Sequence, residues 1–229
     1  MNMPDRLTII GPDERTAHYH FPPDATAWFW GEYTPYEHTG GQNWNYSPTN
    51  RLMSNFKKKM DHRGRPDWPY KAAAINQVAL AFAQFYTWPV MHQPHRIALV
   101  PIPPSKVRTD PMYDPRMHEM LVRMAGYVGL PLDIRDCLSF SGQYGASHLN
   151  GVRPTPDQLH ADLTFDPVAG RQQQPPGAIM VFDDVLTAGS HYAAVSRKLR
   201  DVFPNVPIYG SFIARRVIPN PFADVVIDL

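Results

Sequence analysis

Apolar positions along this chain recur in two periods, and the switches between them outline an alternation of strands and helices. Ile75, Val78, Ala79, Phe82, Phe85 and Tyr86 repeat at three- and four-residue steps, which predicts a helix over Pro69–Trp88 with one broad apolar face. The same spacing in Met117, Met120, Leu121, Met124 and Val128 predicts a helix over Asp114–Val128. Tyr192, Val195, Leu199 and Phe203 predict another over Ser190–Phe203. Two short unbroken apolar runs, Ile97-Ala98-Leu99-Val100 and Ile179-Met180-Val181-Phe182, read as strands buried on both faces, spanning Arg96–Ile102 and Ala178–Phe182. Val206–Ile213 and Ala223–Ile227 add two strands, and Pro131–Cys137 a short one.

The first fifty residues are aromatic and turn-rich. Ala25–Tyr33 suits a strand, and Thr34–Thr49, with Gly40-Gly41 inside it, suits a long loop or short hairpin. Thr49 or Asn50 is placed to cap a helix running to Met60, with Leu52, Met53 and Phe56 on one side. Arg135–Gly177 is polar and broken by turns, with room for a short helix near Pro156–Ala161. Strand–helix alternation of this kind predicts an α/β fold, a mostly parallel sheet flanked by helices on both faces. The aromatic N-terminal stretch, 1–48, is expected to extend a domain over 49–229.

Composition narrows the classes. With 229 residues, 43% hydrophobic and 19% charged, the chain can bury a substantial core. A net charge of +1 argues against a protein that wraps nucleic acid. The densest basic run, Lys57-Lys58-Lys59 with Arg63 and Arg65, reads first as a solvated helix end, and only second as a nucleic-acid surface. The single cysteine, Cys137, excludes an internal disulfide and a Cys-x-x-Cys zinc site, and reads as a small buried side chain. His18-x-His20 lacks identifiable metal-binding partners and reads as strand surface. Met1–Gly11 lacks a signal peptide's apolar stretch, and no segment approaches the roughly 18 apolar residues of a membrane helix, so a cytoplasmic protein without membrane contact is expected.

Candidate chemistry concentrates after the strand Ile179–Phe182. Parallel sheets bind ligands at the carboxyl ends of their strands, where loops and helix N-termini converge. There the chain places Asp183-Asp184, followed by Val185-Leu186-Thr187-Ala188-Gly189-Ser190-His191. Adjacent carboxylates need a cationic or hydroxylic partner, and a ribose 2′,3′-diol is one. Thr187-Ala188-Gly189-Ser190 supplies hydroxyls and approachable backbone N–H groups at a helix N-terminus, an arrangement suited to a phosphate.

Val181–His191 resembles the phosphoribosyl pyrophosphate (PRPP) motif of type I phosphoribosyltransferases, an apolar run followed by Asp-Asp-x-x-Thr-Thr-Gly-x-Thr. Here Ala188 replaces the second Thr and His191 the last. Two hydroxyls are thereby absent, while the backbone donors remain. Tyr46–Lys59, Pro69–Trp88, Ile97–Pro103 and Tyr113–Ala125 resemble, in order, the ComF-like branch of that family, although its N-terminal zinc module is absent for want of cysteines. Gly151-Val152-Arg153 and Phe165 fall where that branch carries an Arg and an apolar residue before the PRPP strand.

The resemblance implies a type I phosphoribosyltransferase fold and a set of roles. Asp183 and Asp184 would hold the ribose hydroxyls, and Leu186, Thr187, Ala188, Gly189, Ser190 and His191 would wrap the 5-phosphate, aided by the charge of a protonated His191. Ser105, Lys106, Arg108 and Arg153 would meet the pyrophosphate. Thr109–Arg116 would form a lid, with Tyr113 and Arg116 closing on the leaving group. Mg²⁺ would arrive on the PRPP substrate, with no direct protein ligand. The implied reaction is phosphoribosyl transfer to a nitrogen acceptor. A sensor that keeps the fold without turnover is one alternative, and an accessory protein in DNA uptake, processing or bacterial defence is another. The partners implied are PRPP or a nucleotide, with nucleic acid, a second copy or a protein complex left open. The base-recognising hood is assigned either to the aromatic N-terminal region or to Pro219–Leu229.

Overall fold

The computed structural model describes residues 2–91, 96–143 and 153–219. The expected strand Ala223–Ile227 and the Gly151-Val152 pair lie outside the described residues. The chain opens with β1 (Thr8–Ile9), a single turn α1 (Pro12–Arg15) and β2 (Thr26–Tyr33). Three helices follow, α2 (Pro48–Phe56), α3 (Pro69–Phe85) and the short α4 (Trp88–Met91), and then β3 (Ile97–Pro101). Next come α5 (Arg116–Val128), β4 (Asp133–Ile134), β5 (Leu138–Phe140), α6 (Pro156–Asp162) and β6 (Leu163–Phe165). The chain then forms β7 (Ala178–Leu186), α7 (Ser190–Val202) and β8 (Ile208–Arg216).

Six strands form one sheet in the order β1-β2-β8-β7-β3-β4, and β5 pairs with β6 in a separate antiparallel ribbon. All pairings in the large sheet are parallel except β1 with β2. The N-terminal residues are therefore part of the sheet, since β2 pairs with β8 from Thr26↔Tyr209 to Tyr33↔Arg216. The strands crossing the sheet centre are apolar on both faces because both faces are covered. Ile179 and Val181 of β7 join a core with Tyr192, Val195 and Leu199 of α7. Met180 and Phe182 face the other way, into a core with Phe56 of α2, Phe82 of α3 and Met120 of α5.

Several boundaries differ from the periodicity. α2 starts one turn earlier than expected, because Ser47 Oγ accepts from the Asn50 N–H at 3.0 Å and Pro48 fits the first helical position. It ends at Phe56 rather than Met60. There the buried Lys71 ammonium donates to the carbonyls of Phe56 (3.0 Å) and Lys58 (2.9 Å), which satisfies acceptors the helix leaves open. α3 stops at Phe85, with Tyr86 extended. Pro89 lacks the N–H that would continue the ladder to Phe85. β4 covers two residues of Pro131–Cys137, and β8 runs three residues past Ile213. Cys137 is buried, and burial pushes its thiol up to about 12.

Phe82 is the keystone of the α3 side. It has no exposed surface and meets Trp30 and Phe85 edge-on and Phe182 at a tilt. Phe82→Ala is expected to lower unfolding free energy by about 3–5 kcal/mol through lost burial and a residual cavity. Chemical denaturation of the two proteins measures it.

Candidate functional site at the end of the central strand

β3 and β7 part company at the carboxyl end of the sheet. Their ladder ends at Pro101↔Phe182, with one further bond from the Ile102 N–H to the Phe182 carbonyl at 2.8 Å. Pro103 and Pro104 have no N–H to donate, so the pairing cannot continue. On its other side β7 keeps pairing with β8 through Leu186↔Arg215. The Asp-Asp pair therefore lies inside the strand, which runs four residues further than the apolar run indicates. A cleft opens beside it, lined by Ile102–Pro104, Tyr113, Asp114, Arg116, Asp136, Asp183 and Asp184. Its enclosed volume is about 40 Å³, room for a few waters.

The two acids have different surroundings. Asp184 is buried, and both of its oxygens are in ion pairs. Oδ1 accepts from Lys57 Nζ at 3.1 Å, and Oδ2 accepts from Arg116 Nε at 3.0 Å and from the same guanidinium's terminal nitrogen. Although burial alone would raise its pKa, Lys57 and Arg116 outweigh that and hold the carboxyl well below the usual range. Asp183 accepts the Asp184 N–H at 2.8 Å and has no ion-pair partner among the described residues. Burial and the adjacent Asp184 charge push its carboxyl up to about 7, so near neutral pH it exchanges between acid and carboxylate.

The cluster continues behind Asp184. Arg116 NH1 also donates to Asp114 Oδ2 at 2.8 Å, and the same oxygen accepts from Lys71 Nζ at 2.8 Å. The other oxygen of Asp114 is buried without a partner among the described residues. Burial lowers the Lys71 pKa against the pull of Asp114. Arg116, the first residue of α5, is thus shared by two carboxylates from two elements, and its charged form is strengthened by both. At the end of β2, burial, Glu37 and Asp184 raise the Tyr33 phenol, which places that hydroxyl in the field of the same acids.

The loop from Leu186 to His191 sits at the same end of the sheet. Leu186, Ala188 and Gly189 are buried, and Thr187, Ser190 and His191 are partly exposed. Gly189 has φ +91° and caps α7 without a side-chain hydrogen bond. A Cβ there would lie 2.6 Å from the Phe21 nitrogen, so glycine is required both by conformation and by space. His191 packs edge-on against Phe140, and burial lowers its pKa despite Asp184. This environment works against the protonated His191 that the resemblance implies.

The structure brings Tyr113, Arg116, Asp183 and Asp184 into one cleft, but not every expected pyrophosphate contact. Ser105 is half-buried on the loop after β3. Lys106 pairs with Asp110 at 3.1 Å, and Arg108 with Asp136 at 2.7 Å while lying over the Tyr113 ring. Arg153 is exposed and does not line the cleft. Sequence reasoning missed four participants. Lys57 belongs to the run read as a solvated helix end, yet it reaches Asp184, and Lys58 is paired with Asp67 at 2.9 Å. Asp114 and Lys71 carried no motif. His18, expected on a strand surface, is in a turn, 1% exposed and bonded to the Thr187 carbonyl. The one signal available was charge economy: a buried Asp-Asp pair needs cations, and Lys57 and Arg116 flank apolar runs.

No protein-family model and no curated protein matches this chain. Among the described residues, no helix is long and apolar enough to cross a membrane.

The acids should respond differently to neutralisation. Asp184→Asn leaves Arg116 and Lys57 short of a buried counter-ion and is expected to cost about 3 kcal/mol at pH 7. Asp183→Asn should be tolerated, and increasingly so as pH rises. The folded state holds a proton on Asp183 that the unfolded chain has released above about pH 4, so wild type loses stability from this group as pH rises from there to about 7. Asp183→Asn lacks that loss. Denaturant titrations at pH 5 and pH 8 give both comparisons.

Proposed function

We propose that this chain is a phosphoribosyltransferase-like protein of the type I fold, allied to the ComF-like branch, that binds PRPP or another ribose 5-phosphate ligand. One observation carries the reading. A paired acid sequence on a central parallel strand runs directly into a glycine-capped helix N-terminus, beside a cleft where the neighbouring strand has let go. A sugar diol and a phosphate monoester on one ligand have the chemistry that these two features accept. Asp183, with no cation of its own among the described residues, is the acid that would accept from the ribose hydroxyls. Asp184 would act mainly by holding Arg116 and Lys57 at the cleft.

In the transfer reading, a nitrogen nucleophile forms a bond to ribose C1 as the bond from C1 to the pyrophosphate oxygen breaks. The chain would hold the two partners in line, with Arg116 and Tyr113 beside the leaving group. Mg²⁺ bound to the pyrophosphate would neutralise its charge. The donor set suits a metal carried by substrate with no direct protein ligand: Asp184, Asp136 and Asp114 already bind cationic side chains. A cytoplasmic setting follows from this reading.

A specific observation favours the second reading, a PRPP or nucleotide sensor. Lys106, Arg108 and Arg116, the cations assigned to the pyrophosphate and its departure, each have a carboxylate partner already. A ligand would have to displace those partners, which lowers the charge available to a leaving group. The basic run offers less to nucleic acid than its sequence suggests, since Lys57 and Lys58 are paired with Asp184 and Asp67.

Calorimetric titration separates these readings. Wild type is expected to bind ribose 5-phosphate, and PRPP with Mg²⁺, and Asp183→Asn to bind both about tenfold more weakly, equivalent to about 1.4 kcal/mol. Absence of binding by wild type would overturn the proposal. Binding with pyrophosphate release on adding nucleobases identifies a transferase, and binding without release identifies a sensor.

A further inference from the structure

The N-terminal segment His18–Phe21 lies against the Thr187–Gly189 loop and holds two successive carbonyls of it. His18 Nδ1 meets the Thr187 carbonyl oxygen, and the His20 N–H donates to the Ala188 carbonyl at 2.8 Å. The Phe21 backbone abuts Gly189 so closely that no side chain fits between them. Because a carbonyl can only accept, Nδ1 must carry the proton. Burial, with Arg215 and Arg216 nearby, lowers the pKa of His18 against the pull of the Thr187 carbonyl, which favours the neutral ring with its proton on Nδ1. Its Nε2 is buried with no partner among the described residues.

These bonds decide where the loop's own donors point. No peptide bond among the described residues is cis. In a trans peptide unit the C=O and the following N–H point in opposite directions. The Thr187 carbonyl and the Ala188 N–H share one unit, and the Ala188 carbonyl and the Gly189 N–H share the next. With both carbonyls bound by the N-terminal segment, both N–H groups are turned to the opposite side. Successive amides aimed the same way make a concavity for an anion, and here they lead into the start of α7, where Gly189 offers no side-chain cap.

The segment is itself firmly held. Arg15 NH1 donates to the Pro22 carbonyl at 2.8 Å, and the Arg15 guanidinium lies 5.0 Å from the centre of the Phe21 ring. That ring packs with Tyr192 of α7 and Phe212 of β8. The His18 donor is therefore presented from a fixed base, and the loop must conform to it.

We propose that His18 is a positioning residue for phosphate binding: by fixing the Thr187 carbonyl through Nδ1–H, it aims the Ala188 and Gly189 amides at the phosphate of the ligand. This rests on the function proposed above and adds to it a residue, 169 positions away in sequence from its partner, which the PRPP-like motif does not contain. His18 does not touch the ligand in this arrangement.

Asparagine can place an N–H where His18 has Nδ1, whereas glutamine places one where it has Nε2. Binding of inorganic phosphate, ribose 5-phosphate and PRPP with Mg²⁺ is measured calorimetrically for wild type, His18→Asn, His18→Gln and His18→Ala. Amide hydrogen exchange at Ala188 and Gly189 and a melting curve are taken for each. The expected result is ribose 5-phosphate affinity within about threefold of wild type for Asn, and about tenfold weaker for Gln and Ala, from the loss of one hydrogen bond. Exchange at residues 188 and 189 should be faster in those two only. Equal affinity in all four proteins overturns the role of His18 and leaves the proposed function standing. Asn binding as weakly as Gln also overturns it. Failure of wild type to bind all three probes overturns both proposals together. If Gln and Ala lose a cooperative melting transition, His18→Asn decides alone: affinity within about threefold supports the role, and a tenfold loss overturns it.

Discussion

A carboxylate buried on the central strand cannot stay ionised without cations at its oxygens, and Asp184 is arranged around that necessity. Its two partners come from different parts of the chain, Lys57 just beyond α2 and Arg116 at the start of α5. Arg116 then requires Asp114, and Asp114 shares its charge with Lys71 on α3, whose ammonium also closes the last carbonyls of α2. One ionised group thus ties three helices together at the carboxyl end of the sheet. With Lys57, Arg116 and Lys71 against Asp184 and Asp114, the cluster carries a surplus positive charge when Asp183 is protonated, and becomes balanced when Asp183 ionises. An approaching anion and the proton on Asp183 are therefore linked.

The cleft depends equally on something that stops. Pro103 and Pro104 end the pairing of β3 with β7 while β8 continues alongside β7 for four more residues. The backbone at Asp183–Leu186 is consequently paired with β8 on one edge and released by β3 on the other. Rigid support on one edge and access on the other is what a site needs to hold geometry without being filled by its own protein.

Much of this was legible in the sequence because it rests on local rules. The apolar runs at Ile97–Val100 and Ile179–Phe182 have no polar face, and the structure covers both faces of each. The Met117-Met120-Leu121-Met124 stripe lies on the buried side of α5. What was not legible depends on distant partners. Nothing near Lys57 announces that its ammonium meets an acid 127 residues away. The strand extends past Phe182 because β8 offers it hydrogen bonds, and no property of Asp183 or Asp184 signals that. His18 looked like half of a surface pair because its acceptor is a carbonyl, and every residue has one. A His191 on a helix N-terminus suggests a cation by sequence, but the surrounding burial disfavours the charged ring.

The meeting of His18 with Thr187 also constrains how the chain reaches this state. A contact spanning most of the sequence closes late and slowly, since the entropy of the intervening loop must be surrendered first. On a ribosome the N-terminal segment emerges long before its acceptor exists, and Phe21 has Tyr192 to pack against only once α7 is made and Phe212 only once β8 is made. Chains interrupted before β8 would retain the paired acids, the glycine loop and His18–Phe21 in sequence, yet lack the Phe212 ring against which Phe21 is seated. The seating of the Thr187–Gly189 loop is thus complete only once β8 has joined the sheet.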